Sequence, residues 1–137
     1  MSDPPDEPDV FDPIPADGLL LALCEVARNV DGFELGITVN VPGATVTGVM
    51  VGPKPWLQIL GASGEGAANE FLRGIAARMV EILDAGGDDV DTQFLHLREA
   101  QYVSGGAFTP TNAALLWRGR LAAVSGFSLG KVTPAGQ

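Results

Sequence analysis

The run Gly61-Ala62-Ser63-Gly64-Glu65 comes nearest to a catalytic signature in this sequence. A Gly-x-Ser-x-Gly run at the end of a strand makes a sharp turn that lifts a serine hydroxyl toward its base. Here Glu65 stands where the last glycine belongs, and the preceding segment reads as a short helix rather than a strand. His96 is the only histidine and so the only imidazole base for Ser63. A serine hydrolase is not expected on those terms. Gly64-Glu65-Gly66-Ala67-Ala68-Asn69 starts like a dinucleotide loop but lacks the third small residue, and reads better as a helix entry. Asp88 and Glu99 are spaced like the first and last ligands of a calcium loop. Val90 and Thr92 lie between them, however, and Gln93 sits where the turn needs glycine. One Cys and one His cannot build a zinc site within a single chain without several carboxylates. The sequence therefore reads as non-enzymatic, with no metal and no cofactor.

Three side chains remain as candidates for partner binding: Arg118, Arg120 and His96. Under period-two alternation Leu115, Trp117, Gly119, Leu121 and Ala123 share one strand face, leaving Arg118 and Arg120 together on the other. Phe127 and Leu129 repeat the alternation after Ser125-Gly126, so the C-terminal run predicts a core hairpin with Trp117 inside. His96 alternates with Phe94 and Arg98, opposite Leu95 and Leu97, as a hydrogen-bonded or surface histidine would.

The elements that hold these residues follow from the patterning. Asp17 predicts the N-cap of a helix from Gly18 to about Val30, with Leu19, Leu20, Leu23, Val26, Ala27 and Val30 as its apolar stripe. Phe33 to Val41 alternates as a strand, Pro42-Gly43 turns the chain, and Ala44 to Val51 returns. Gly48 within the second strand marks a bend or a close neighbour. Pro53 and Pro55 end that strand, and Pro55 suits the first turn of a short helix through Trp56, Leu57, Ile59 and Leu60. A longer helix is predicted from about Ala67 to Leu83, its stripe being Ala68, Phe71, Leu72, Ile75, Met79, Ile82 and Leu83. Residues 86–91 read as a surface loop, Thr92 to Val103 as extended, and Ser104-Gly105-Gly106 through Pro110 as another loop. The fold class is α+β: about five antiparallel strands in a strongly bent sheet curling toward a small barrel, with an N-terminal helix and a helical insertion.

Charge divides the chain unevenly. Asp3, Asp6, Glu7, Asp9, Asp12 and Asp17 precede any Lys or Arg, and the rest carries eleven acids against eight bases. Most of the net charge of −9 thus belongs to the start. Five prolines there deny it a helix interior or a central strand, so residues 1–15 read as a disordered acidic tail. Residues 16–133 read as a single domain and 134–137 as a short tail. Such a charge balance disfavours nucleic acid, which needs clustered cations. The lone Cys24 excludes an intrachain disulfide and fits a reducing compartment. The longest aliphatic run, Leu19 to Cys24, is far too short to cross a bilayer, and no basic region precedes it. A soluble intracellular protein with no membrane insertion is expected.

Trp117-Arg118-Gly119-Arg120 followed by Gly126-Phe127-x-Leu129-Gly130-Lys131 resembles the C-terminal part of the gas vesicle accessory protein U family. Gly32-Phe33-x-Leu35-x-Ile37 with Gly43-Ala44-x-Val46-x-Gly48-x-Met50, and Phe94-Leu95-His96-Leu97-Arg98, agree with that family in order. The acidic start and the Gly86-Gly87-Asp88-Asp89 insertion depart from it. The resemblance implies a non-enzymatic gas vesicle accessory protein, cytoplasmic and vesicle-associated, that assists assembly, stabilisation or clustering. Its partners would be the vesicle shell or other accessory proteins, with self-association open. The second reading, from the residues alone, is a small module holding a ligand or peptide between its sheet and the 67–83 helix.

Overall fold

The computed structural model describes residues 17–86 and 93–133. The expected acidic tail, most of the 86–91 loop with Asp88, and the short C-terminal tail lie outside those residues. Among the described residues three helices, α1 (Gly18–Asn29), α2 (Pro53–Gly61) and α3 (Gly66–Asp84), accompany six strands. The strands are β1 (Leu35–Val41), β2 (Ala44–Met50), β3 (Phe94–Ser104), β4 (Ala107–Thr109), β5 (Leu115–Arg120) and β6 (Gly126–Leu129). All pair antiparallel in the order β4-β3-β2-β1-β6, with β5 also on β3, and the sheet is open. The α+β expectation holds with one strand more than predicted.

Local chemistry explains the ends of these elements. The Asp17 carboxylate accepts from the Leu19 and Leu20 amides at 2.8 and 3.2 Å, capping α1 as the sequence requires. Pro53 opens α2, where its missing N–H is not needed, and Pro55 lies two residues on in the same first turn, as expected. Pro42-Gly43 closes β1 on β2 with Gly43 at φ 79°, the second centre of a type II turn. Gly105 and Gly106 both have positive φ and join β3 to β4, a short strand within the segment expected as a loop.

The predicted C-terminal hairpin is not formed. Gly126 does not adopt positive φ, so Ser125-Gly126 does not make a primed turn. Instead β5 pairs with β3 and β6 with β1, on opposite edges of the sheet. Leu121 continues from β5 by donating to Gln93 O at 2.8 Å, and a 3-10 turn over Leu121–Ala123 follows. Ser125 N–H and Oγ then both reach Asn40 O, at 2.8 and 3.2 Å. By register, Arg120 lies three levels before Leu97 and Gly126 five levels beyond the aligned Leu35. Across a flat sheet that path would span about 32 Å, from four strand spacings and eight residue rises. Six residue steps reach only about 20 Å. The sheet must therefore curl strongly, and Leu121 is buried where the crossover passes over its hollow face.

That face forms the larger core: Ile37, Val39, Val46, Met50, Leu95 and Leu97, covered by Leu20 of α1 and by Leu121. Trp117 packs at its margin, half-buried, with its ring over Gly119, where an added Cβ would overlap it. The opposite face carries Val49, Val51 and Leu116 against Trp56 and Leu57 of α2 and Ala76 of α3. β3 is bulged: Glu99 and Ala100 together oppose Gly48, and Glu99 has φ 52°. A Cβ at Gly48 would lie 3.1 Å from Ala100 Cα, so the glycine accommodates the bulge. Beyond β6, Gly130 N–H donates to Gly36 O at 2.7 Å. Thr47, fully buried, accepts from Val132 N–H at 2.8 Å and pairs with Thr38 Oγ1 at 2.9 Å, and Thr38 donates to Gly130 O at 2.9 Å.

The predicted stripe of α3 is displaced. Ala76 is its one buried residue, beside Gly61 of α2, while Phe71 is 69% and Ile75 44% exposed. Two apolar stripes coexist on this helix, and packing on α2 selected the one with the small side chain.

Candidate partner-contact site

Antiparallel pairing of β3 and β5 sets Phe94 opposite Arg120 and His96 opposite Arg118. Directly opposed residues on one face bring their side chains together. Arg118 Nε donates to His96 Nε2 at 3.2 Å, and its guanidinium carbon sits 3.8 Å above the Phe94 ring. A cation over an aromatic face is attracted by the ring quadrupole. On its other side His96 meets the edge of Trp56, with ring centroids 5.2 Å apart and planes at 63°. Trp56 Nε1 donates to Leu97 O at 3.2 Å, which fixes the indole. Trp56, His96, Arg118 and Phe94 thus form a continuous stack from the second core to the surface.

The hydrogen bond assigns His96 its tautomer. Arg118 is donor-only, so Nε2 must carry the lone pair and Nδ1 the proton. His96 is only 3% exposed, so its imidazole is a buried structural partner of Arg118. Of the three predicted site residues, the structure joins His96 and Arg118 and leaves Arg120 one pair further along. Arg120 is exposed and makes no ion pair among the described residues. Sequence reasoning missed Trp56 and Phe94 as members of this group. Phe94 was legible, two residues from His96 on one strand face; Trp56 was not, because α2 is far away in sequence.

The weaker chemical motifs resolve into structural roles. Ser63 follows α2, a helix, and its hydroxyl donates to Ile59 O at 2.6 Å. The Glu99 carboxylate pairs with Arg98 and lies 4.0 Å from Lys131 Nζ, and Arg98 also binds Glu34 at 2.7 Å. These pairs brace the bulge. Cys24 faces a cavity of about 60 Å³ beneath α1. Burial pushes its thiol up to about 11, with Glu25 adding to the rise and Arg28 opposing it. Among the described residues no cluster of three His, Cys, Asp or Glu could hold a metal ion, and no helix is long and apolar enough to cross a membrane.

No curated protein and no solved structure matches this chain. The family model described as gas vesicle protein GvpU-like matches residues 17–132, which run from the cap of α1 through β6. This protein therefore belongs to the GvpU-like gas vesicle protein family.

Proposed function

We propose that the protein is a non-enzymatic accessory factor that assists assembly, stabilisation or clustering of gas vesicles in the cytoplasm by protein–protein contact. The family match over residues 17–132 carries this reading. Its contact surface is centred on Arg120, held beside the Arg118–His96 pair. An exposed cation in a chain of net charge −9 is well suited to meet an acidic partner surface. Apolar contact comes from α1 and its C-cap, where Leu19, Val26 and Val30 form an exposed stripe behind the buried Leu20 and Ala27. In the second reading, the ligand lies between the sheet and the 67–83 helix. Trp56 and Leu57 of α2 pack in that space against Val51 and Ala76, so the shell or an accessory protein is the favoured partner.

Gas-filled vesicles float, which gives a direct test. Purified protein is mixed with isolated vesicles, centrifuged gently, and measured in the buoyant layer. The unmodified chain should rise with the vesicles. Arg120→Glu should rise less, with the larger difference at low salt because exposed charges are screened. If the protein neither rises with vesicles nor alters vesicle yield in cells that make them, the reading fails.

A further inference from the structure

The outward side of α3 bears a self-complementary pattern that the monomer does not use. Gly74 lies near the middle of this 19-residue helix, and a Cβ built there meets nothing within 4 Å. Glycine in a helix interior is less stable than alanine, so the fold of one chain gives no reason for it. Phe71 and Ile75, 69% and 44% exposed, flank it. With Glu70, Arg78 and Met79 they line a shallow groove of about 430 Å³. Glu70 precedes Gly74 by four residues and Arg78 follows it by four, so all three lie along one ridge. Neither charge makes an ion pair among the described residues.

We propose that the exposed face of α3 is a homodimer interface, in which two copies cross antiparallel at Gly74 with Glu70 of each chain against Arg78 of the other. A two-fold axis through Gly74 maps position 70 onto position 78, so both ion pairs form at once. The glycine lets the two helix backbones approach, and Phe71 and Ile75 are buried on either side of the crossing. Parallel packing in register would set Glu70 on Glu70 and Arg78 on Arg78, so the charges select the antiparallel pair. An interface of one helix per chain is small, which places the dimer among exchanging rather than obligate ones. This inference is independent of the vesicle reading and needs no vesicles to test.

Sedimentation equilibrium of the full chain, from micromolar to several hundred micromolar, should show mass rising from 14.2 kDa toward twice that value. Glu70→Arg and Arg78→Glu should each weaken association at least about tenfold, a like-charge effect. The double exchange Glu70→Arg with Arg78→Glu should restore it. Mixing the two single variants should also restore association, since each supplies the charges the other lacks. Gly74→Ala should raise the thermal midpoint of the dilute monomer while weakening the dimer. A parent chain that stays at 14.2 kDa throughout overturns the proposal. So does a dimer indifferent to both reversals. Dimerisation only after deletion of residues 1–15 would mean that this segment is the occupant of the α3 face, and overturns it equally.

Discussion

Replacing Thr47 with valine tests how the last residues are fastened across the sheet. The side chain is fully buried, and its Oγ1 accepts from Val132 N–H at 2.8 Å and shares a 2.9 Å contact with Thr38. Thr38 already donates to Gly130 O, so the Thr47 proton goes to Thr38 Oγ1 or to Ile37 O at 3.5 Å. Valine keeps the shape and removes all of this. The Val132 amide then loses its acceptor, at a cost of about 1 kcal/mol for a partly solvated group. Loss of the threonine pair adds about 0.5 kcal/mol, and the buried methyl, which needs no partner, offsets part of the sum. The net should be about 1 kcal/mol, or a thermal midpoint lower by roughly 3–5 °C for a chain of this size. Thr38→Val should cost less, since Thr47 retains both Val132 and Ile37 O. Urea unfolding gives the free energies, and hydrogen exchange at the Val132 amide locates the change. A Thr47→Val protein as stable as its parent, with Val132 exchange unaltered, would refute the reasoning.

Three further outcomes are expected. Arg118→Glu should destabilise the fold by about 1–2 kcal/mol, because it removes the donor to His96 and the cation over Phe94; Arg120→Glu should stay within about 0.5 kcal/mol, and equal unfolding midpoints for the two would contradict the stack. Gly119→Ala should cost about 1–3 kcal/mol, since the new methyl displaces the Trp117 ring, and an unchanged near-ultraviolet spectrum and midpoint would show that the ring does not lie there. With its thiol raised from 9.0 to about 11, Cys24 should alkylate about a hundredfold more slowly at pH 8 in the folded protein than in urea. The stability tied to that shift is complete below pH 9 and is lost as pH climbs through 11; equal alkylation rates in the two states would contradict it.

Much of the fold could be read from short-range pattern. The Asp17 cap, the Pro42-Gly43 hairpin and the inward set Ile37 and Val39 depend on neighbours in sequence and appear as expected. What failed depends on distant partners. Gly126 looked like a turn because the strands on either side alternate, yet those strands belong to opposite sheet edges. Phe71 and Ile75 looked like core because they are large and helically spaced, but α2 offered a surface that fits the smaller Ala76. The candidate site divided the same way. The pairing of Arg118 and Arg120 on one strand face was legible, whereas the His96 and Phe94 contacts of Arg118 come from register with a strand over twenty residues earlier.

The crossover from β5 to β6 also sets the order in which the molecule can be completed. The hydrogen bonds described for β6 and the residues after it join partners 85 or more positions apart, such as Ser125 to Asn40 and Val132 to Thr47. Loop closure over that length is paid last, after the local hairpin and the β2–β3 ladder have formed. On the ribosome, β6 emerges long after β1, its partner. Until it docks, β1 is a bare edge carrying alternating Ile37 and Val39, open to the β1 of another nascent chain. A chain cut near Val124 would leave that edge permanently unpaired, so the harm of losing β6 would be misassembly between chains rather than a missing site.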